Sequence, residues 1–444
     1  MKKIGRLSMA IIGITAILAI YLYSLLDRDL IYKGVKIDQF DVSNMTRDEA
    51  LNLLKNKKEK DKNKTIKLTY NDSLFKFSLC DFGFEYDYQK TVDKAYRIGR
   101  VGNIFTRIID IVSTSIKGID IQLETSYDRD KIEHIAEVIC QQINVEPRDA
   151  EINLKDGSIQ IINEVVGKKV KRQELIKAIE GNMLKQDTIQ IPVESIIPKI
   201  TGDLLSRING IIGNFSTSFK GSSQNRIENI KLSANAIKGT LLLPGESMSF
   251  NETTGPRREE FGYKESNVII EGEYTPGVGG GVCQTSTTLY NALLLADVTI
   301  LERYPHSIPP EYIALGKDAA VAYGYLDLKF RNDFDYPIYI DANIVGDRLY
   351  FCIYGDLKER DFAVKVESEI VEVIEPKEET IFDEGLEAGN RIIISKGRRG
   401  YKVNTYKYII KNGQFISKEL ISQDYYRPQN YVYKVGGAQG ESKK

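Results

Sequence analysis

A cysteine behind a run of glycines, a histidine downstream and two aspartates beyond it are the residues of this chain whose types and order suit covalent chemistry. Cys283 stands in GVGGGVCQTSTTLYNALLLA, directly after Gly279, Gly280 and Gly281. Thr287, Leu289, Tyr290, Leu293 and Leu294 continue a helical pattern through Ala296, which puts Cys283 in the first turn of that helix. Unpaired backbone N–H groups and the positive end of the helix dipole favour a thiolate there. The glycines let the backbone approach a substrate and can present N–H groups to an oxyanion. The same stretch also reads as a small core residue behind a turn, because free cysteine is among the most buried residue types.

A cysteine nucleophile needs a base. His306, in ERYPHSIPPEY, follows the helix and a short strand, VTILERY, so a helix running back against that strand brings the imidazole towards the thiol. Asp318 in GKDAAV and Asp327 in DLKFRN can each fix the imidazole tautomer, and the sequence does not choose between them. The plain alternatives are a structural hydrogen bond for His306 beside its prolines and a turn cap for Asp318. Ser286, on the same helix, is a weaker nucleophile than Cys283.

Other chemistries have no positive signal. His134 and His306 are the only two histidines, and no HExxH or His-rich set exists, so no metal site is expected. His134 and Cys140 share the patterned helix DKIEHIAEVICQQI and read as structural. No GxxxxGK[ST] or strand-linked GxGxxG appears, so neither a nucleotide nor another cofactor is expected. With 61 Lys+Arg against 62 Asp+Glu and no dense basic block, nucleic acid is not an expected partner. Cys80, Cys140, Cys283 and Cys352 include no CxxC pair, which argues against a disulfide-built fold.

The elements that must position these residues are legible in outline. Met9 to Leu26 is a mostly apolar run preceded by Lys2, Lys3 and Arg6, expected as an uncleaved transmembrane anchor with the N-terminus cytoplasmic. VSNMTRDEALNLLKN reads as a helix capped by Ser43 or Thr46. TIKLTY and LFKFSL read as a hairpin around Asn71-Asp72-Ser73, followed by a helix from about Tyr88 to Ile98. AEINLKDGSIQIINEV and RQELIKAIEGNM repeat that order, hairpin then helix, which suggests two related α+β lobes. A helix is expected from about Asn225 to Ile237, and strand-like runs follow Asp318. The end of the chain reads as a small β region with a hairpin at Asn412-Gly413 and a polar tail.

Five motifs in order, RIENIKLSANAIKGTLLLPGESMSFN, GPRREEFGYKES, GGGVCQTSTTLYNALL, ERYPHSIPPEYIALGKDAAV and DLKFRN, make the segment from about 209 to 355 resemble the VanW domain family. DFGFEYDYQKTVDKAYRIGRVGNIF resembles the peptidoglycan-binding domain that often precedes VanW, and GRRGYKVNTYKYIIKNGQFISKELISQDYYRPQNYVYKVG resembles a G5-type β module. The expected organisation is a multidomain α+β chain. It comprises a cytoplasmic tip and anchor (1–29), a peptidoglycan-binding region of two lobes (30–200), a VanW domain (205–360), a G5-like region (361–437) and a flexible tail (438–444).

The resemblance implies a cell-surface protein, held in the membrane with its bulk outside the cytoplasm, that acts on the peptide stems and glycan of peptidoglycan. Some VanW-domain proteins are understood to be L,D-transpeptidases with a cysteine nucleophile. Carried over, Cys283 is the nucleophile; His306 and Asp318 match motif positions of the family, and their reading as its catalytic partners is inferred from the residues, as is that of Gly280, Gly281, Gln284, Ser286 and Arg303 as the expected substrate-binding or oxyanion residues. A stem-peptide hydrolase and a non-catalytic wall-binding scaffold are the alternatives. The histidine-then-SHGC order of YkuD-type L,D-transpeptidases is absent, so the YkuD fold is not implied.

Overall fold

The computed structural model describes residues 26–155, 157–270 and 273–437, together with Ile17, Tyr23 and Ser24. Most of the Met9–Leu26 run and the 438–444 tail lie outside the described residues. Among the described residues no helix is long and apolar enough to cross a membrane. The architecture is mixed α+β, with the chain divided into two compact units, 1–148 with 165–198 and 149–164 with 199–444.

The first unit contains helices α1 (Arg47–Lys58), α2 (Tyr88–Arg97), α3 (Ile104–Lys117), α4 (Arg129–Ile143) and α5 (Arg172–Asn182). Thr46, rather than Ser43, caps α1 in a reciprocal box: Glu49 N–H donates to Thr46 Oγ1 (3.2 Å) and Thr46 N–H to Glu49 Oε2 (2.8 Å). Strands Thr65–Tyr70 and Ser73–Ser78 pair antiparallel, with Tyr70 opposite Ser73 and Asn71 at φ 46° in the turn. Thr188–Gln190 adds to the first of these in parallel. One core joins this sheet to α4 and α5 through Ile66, Leu68, Ile132, Ile139, Leu175 and Ile179. A second gathers Ile31, Val35, Leu54, Val92 and Ala95.

The second expected hairpin exists, Glu151–Lys155 with Ser158–Ile162. It does not form a lobe with the helix that follows it. Ile152, Leu154, Ile159 and Ile161 pack with Leu205, Ile208 and Tyr354 in the second unit, while α5 stays with the first. The repeated order along the chain therefore does not correspond to two repeated lobes.

In the second unit β1 (Gly210–Ser218), β2 (Thr240–Leu242), β3 (Ile338–Val345) and β4 (Arg348–Gly355) form an antiparallel sheet in the order β1-β4-β3-β2. Two helices, α7 (Gln224–Ile237) and α9 (Val282–Ala296), lie against it, while α6 (Gly202–Leu205) packs on the Glu151–Ile162 hairpin and α8 (Phe250–Thr254) on α7. A side chain at Gly213 would sit 2.6 Å from the Ala292 carbonyl oxygen, so glycine lets α9 press onto β1. Phe250, Leu289, Leu293, Phe330, Ile338, Phe351 and Ile353 fill the space between. The chain ends in two further sheets. β5 (Phe362–Ile374), β6 (Gly400–Lys411) and β7 (Gln414–Tyr426) form the first, its β6–β7 hairpin turning at Asn412 and Gly413, both at positive φ. Strands Glu378–Asp383, Tyr431–Gly436 and Arg391–Ser395 form the second.

Candidate active site

Helix α9 begins one residue before Cys283, with Gly281 as its N-cap at φ 109°. The glycine run is required by the chain's own packing. A Cβ at Gly280 would lie 2.5 Å from the Asn267 carbonyl oxygen, one at Gly281 would lie 3.0 Å from that of Arg226, and Gly279 takes φ 91° beside the Arg257 side chain. Asn229, buried, locks the turn by donating to the carbonyls of Gly280 (2.9 Å) and Lys264 (2.8 Å). The expectation that these glycines leave room for a substrate gives way to this: the room is filled by strand Glu265–Ile270 and by α7.

The hydroxyl-rich sequence after Cys283 pins the segment that carries Asp318. Ser286 Oγ donates to the Ala319 carbonyl (2.7 Å), Thr287 Oγ1 accepts from Ala319 N–H (3.0 Å), and Asn291 Nδ2 donates to the Lys317 carbonyl (2.7 Å). The Cys283 thiol donates to the Val321 carbonyl, with Sγ 3.4 Å away. Ala320 N–H donates to the Tyr304 carbonyl (2.8 Å), two residues from His306. Helix, histidine strand and aspartate segment are thus tied together by backbone as well as side chains.

At the centre, Asp318 Oδ2 accepts from the backbone N–H of His306 (2.7 Å) and pairs with its ring Nδ1 (2.6 Å). Oδ1 accepts from the Tyr426 hydroxyl (2.5 Å) and from Arg303 Nη2 (3.2 Å). Asp318 is fully buried, and this set of donors is what makes a buried carboxylate tenable. Burial favours the acid, but the His306 hydrogen bond and charge, with Arg303 and Tyr426, hold Asp318 below the usual carboxylate range. With Nδ1 engaged by Asp318, the edge of the imidazole left for Cys283 is Nε2.

Burial likewise opposes ionisation of both Cys283 and His306. Hydrogen bonding between them, the imidazolium charge and the Arg257 guanidinium outweigh it and bring the thiol below its ordinary value. Asp318 and Cys283 raise His306 to about 9. Cys283 is partly exposed, and the lowering of its thiol beside His306 favours the thiolate, the form in which a cysteine is nucleophilic.

Asp327 is not part of this group. It accepts from Ser249 Oγ (2.5 Å) and from the N–H groups of Asn251 (3.0 Å) and Leu328 (2.8 Å), which fastens the start of α8. Of the expected substrate-binding set, three side chains turn inward. Gln284 donates to Thr217 Oγ1 (3.1 Å) and the Ser218 carbonyl (2.9 Å) and accepts from Arg226 (3.0 Å). Ser286 holds Ala319 as described. Arg303 is buried, donating to the Asp318 carbonyl (2.6 Å) and to Asp424 (2.6 Å), so it positions the aspartate instead of meeting a substrate. Among expected oxyanion donors, the N–H groups of Val282 and Gln284 are engaged by the carbonyls of Gly279 (3.2 Å) and Gly281 (2.9 Å). The Cys283 N–H has no acceptor among the described residues.

Sequence reasoning missed four contributors. Asp424 and Tyr426 come from β7, in the C-terminal sheet. Their signal is the spacing Ser422, Asp424, Tyr426, three polar residues on one face of a strand whose last two are buried. Arg257, in GPRREEF, lies over Phe250 and Tyr323 at 5.7 and 5.8 Å, and its Nη2 is buried without a hydrogen-bond partner among the described residues. Burial first, and the charge of Cys283 second, push the Tyr312 hydroxyl up, so it stays protonated beside the thiolate. His134 is exposed on α4 in the other unit.

The family of VanW like proteins matches residues 225–354, a peptidoglycan binding domain family (PG_binding_4) matches 75–190 and the G5 domain family matches 365–438. The chain is 35% identical over 231 residues to the uncharacterized protein YoaR of Bacillus subtilis (strain 168), across 51% of this chain and 75% of that protein. It is 33% identical over 154 residues to the vancomycin B-type resistance protein VanW of Enterococcus faecalis (strain ATCC 700802 / V583), across 32% of this chain and 56% of that one. Among solved structures, HP0197-G5 is 28% identical over 17% of this chain and 97% of its own (TM-score 0.13). The IgA1 protease G5 domain is 20% identical over 18% and 94% (TM-score 0.15).

Proposed function

The chain belongs to the VanW family, and from that premise we propose that it is a cell-wall cysteine acyltransferase, an L,D-transpeptidase that joins peptidoglycan stem peptides. The observation that carries the reading is the Cys283–His306–Asp318 group, a partly exposed thiol paired with an imidazole whose other nitrogen is held by a buried carboxylate. Binding alone needs no such pair. Matches to a peptidoglycan binding domain and a G5 domain support a cell-wall-associated role with peptidoglycan as the partner. Met9–Leu26 serves as the membrane anchor, with the N-terminus cytoplasmic and the bulk of the chain outside the cytoplasm.

The Cys283 thiolate attacks the carbonyl carbon of the third residue of a donor tetrapeptide. The oxyanion meets the Cys283 N–H and the Tyr312 hydroxyl, with the Arg257 charge nearby. Collapse breaks the C–N bond, the His306 imidazolium donates its proton to the departing D-Ala amine, and a thioester remains. The side-chain amine of a second stem attacks that thioester, His306 takes the amine proton, and the thiolate leaves. Asp318 keeps Nδ1 protonated throughout.

The test incubates the full chain in detergent with purified disaccharide-tetrapeptides and resolves products by mass spectrometry. A cross-linked dimer formed with loss of one D-Ala, absent with Cys283→Ala, is the expected result. Tripeptide monomer alone would make the protein a hydrolase. Neither product from folded protein would remove the enzymatic reading.

A further inference from the structure

Helix α3 turns an apolar stripe to solvent. Phe105 is 76% exposed, Ile109 65%, Val112 48% and Ile116 78%, and Ile104 and Val101 extend the patch. The spacing 105, 109, 112, 116 is that of one face of a helix. Ile111 and Thr114, on the opposite side, are the buried residues that hold α3 to its unit. Ile108, Ile109, Val112, Ser113, Ile116 and Lys117 line a shallow groove along the face. Isolated exposed apolar residues are ordinary, but a continuous stripe of large ones marks a surface that meets another apolar phase.

The chain itself indicates which phase. The apolar run Met9–Leu26 ends against α3. Arg107 Nη2 donates to the Leu26 carbonyl (2.9 Å), and its Nε donates to the Gly99 carbonyl (3.2 Å) at the turn leading into the helix. The next residues are fastened to the same place: Arg100 donates to the carbonyls of Arg28 and Leu30 (2.7 Å for the latter), and the Tyr96 hydroxyl donates to Asp29 (2.5 Å). An anchor that leaves the bilayer at Leu26 therefore emerges within hydrogen-bonding distance of the first turns of α3. No flexible linker separates the two.

We propose that α3 is an interfacial helix: its Phe105–Ile109–Val112–Ile116 face lies in the headgroup–acyl boundary of the same membrane that holds the anchor. This rests on the reading of Met9–Leu26 as an anchor. An amphipathic helix lying in that plane buries its apolar face in the boundary region while its other face stays on the protein. The consequence is a fixed attachment, in which the first unit meets the membrane along a helix as well as through a single chain.

The chain contains no tryptophan, so one can be introduced as a sole reporter. Full-length Ile109→Trp and, separately, Ile116→Trp are reconstituted into phosphatidylcholine/phosphatidylglycerol vesicles, with Leu74→Trp on the Thr65–Ser78 hairpin as reference. The expected result is a blue shift of emission on reconstitution and strong loss of intensity with brominated acyl chains at 109 and 116, exceeding any loss at 74. A blue-shifted reporter that bromine does not quench, meaning the face is covered by protein (the N-terminal segment or a second copy), overturns the proposal. So does water-like emission in vesicle-bound protein. Protein that fails to co-sediment with vesicles overturns the anchor reading and this one together, so the two failures are told apart.

Discussion

Helices α9 and α3 are close in length and invert each other's chemistry. On α9, Gln284, Thr285, Ser286, Thr287, Thr288 and Asn291 are buried, whereas on α3 it is Phe105, Ile109 and Ile116 that face out. The polar residues of α9 are tolerable inside because each finds a partner: Thr285 with Ser233 (2.8 Å), Thr288 with Thr217 (2.7 Å), Thr287 with Ala319 N–H (3.0 Å). A core of leucines would have packed as well, but it could not have fixed the backbone on either side of Asp318. The difference teaches that burial alone does not separate a structural helix from a working one; what matters is what the misplaced residues hold. On α9 they hold the Cys283–His306–Asp318 group in place, and on α3 they face solvent among the described residues.

The sharpest way to break the comparison is to remove the group that α9 serves. Cys283→Ala should abolish cross-linked product in the mass-spectrometric assay while leaving binding to purified cell wall intact; loss of both would mean that the variant does not fold. Asp318→Asn comes next, with a fall in turnover of about a hundredfold, the scale of a lost acid–base partner. Alkylation of Cys283 by iodoacetamide should then require higher pH, because the imidazole loses the partner that keeps it charged up to about 9. The sign for stability follows from the same shift. The His306 contribution is complete below the unfolded imidazole value near 6.5 and lost as pH rises through about 9, so the wild type should lose its advantage over Asp318→Asn across that window in thermal melts. Asp327→Asn should lower the melting temperature without moving the alkylation profile.

Smaller effects sharpen the contrast. Thr287→Val keeps the shape of the side chain and strands the Ala319 N–H, costing about 1–3 kcal/mol in denaturant titration. Tyr426→Phe removes one donor from Asp318 and should slow turnover about tenfold, with little change in KM. On α3 the expectation reverses. Ile109→Ser should change stability in detergent solution by less than about 0.5 kcal/mol, whereas Ile111→Ala, on the buried side of the same helix, should cost about 2–4 kcal/mol. Equal costs for the two would mean that the exposed face packs against protein.

The parts of the site that were legible were those encoded locally. A glycine run before a 3.6-residue pattern places Cys283 in a first turn, and the strand after it brings His306 round. Glycine itself was misread, because a sequence does not tell whether the space left by a missing Cβ is filled by a ligand or by the chain, and here Asn267 and Arg226 fill it. The choice between Asp318 and Asp327 was illegible for a related reason: each is an aspartate downstream of His306 that the sequence could place beside the imidazole, and only the Ser249 and Asn251 contacts show that Asp327 is engaged elsewhere. The hairpin at Glu151–Ile162 was readable as a hairpin, while its packing partners, Leu205 and Tyr354, lie far along the chain. Arg303, expected at the substrate, is a positive charge between two buried carboxylates, a pairing that depends on Asp424 arriving from β7.

That arrival sets an order of events. The Tyr426 hydroxyl that meets Asp318 lies 108 residues further along the chain, close to the end of the described residues. If export proceeds from the N-terminus, the cysteine, the histidine and the aspartate emerge first, and the carboxylate has neither Tyr426 nor the Asp424 that steadies Arg303 until the last strands have followed and folded. On the proposed function, an exported chain would therefore leave the Cys283–His306–Asp318 group incompletely braced until its own C-terminal sheet has folded.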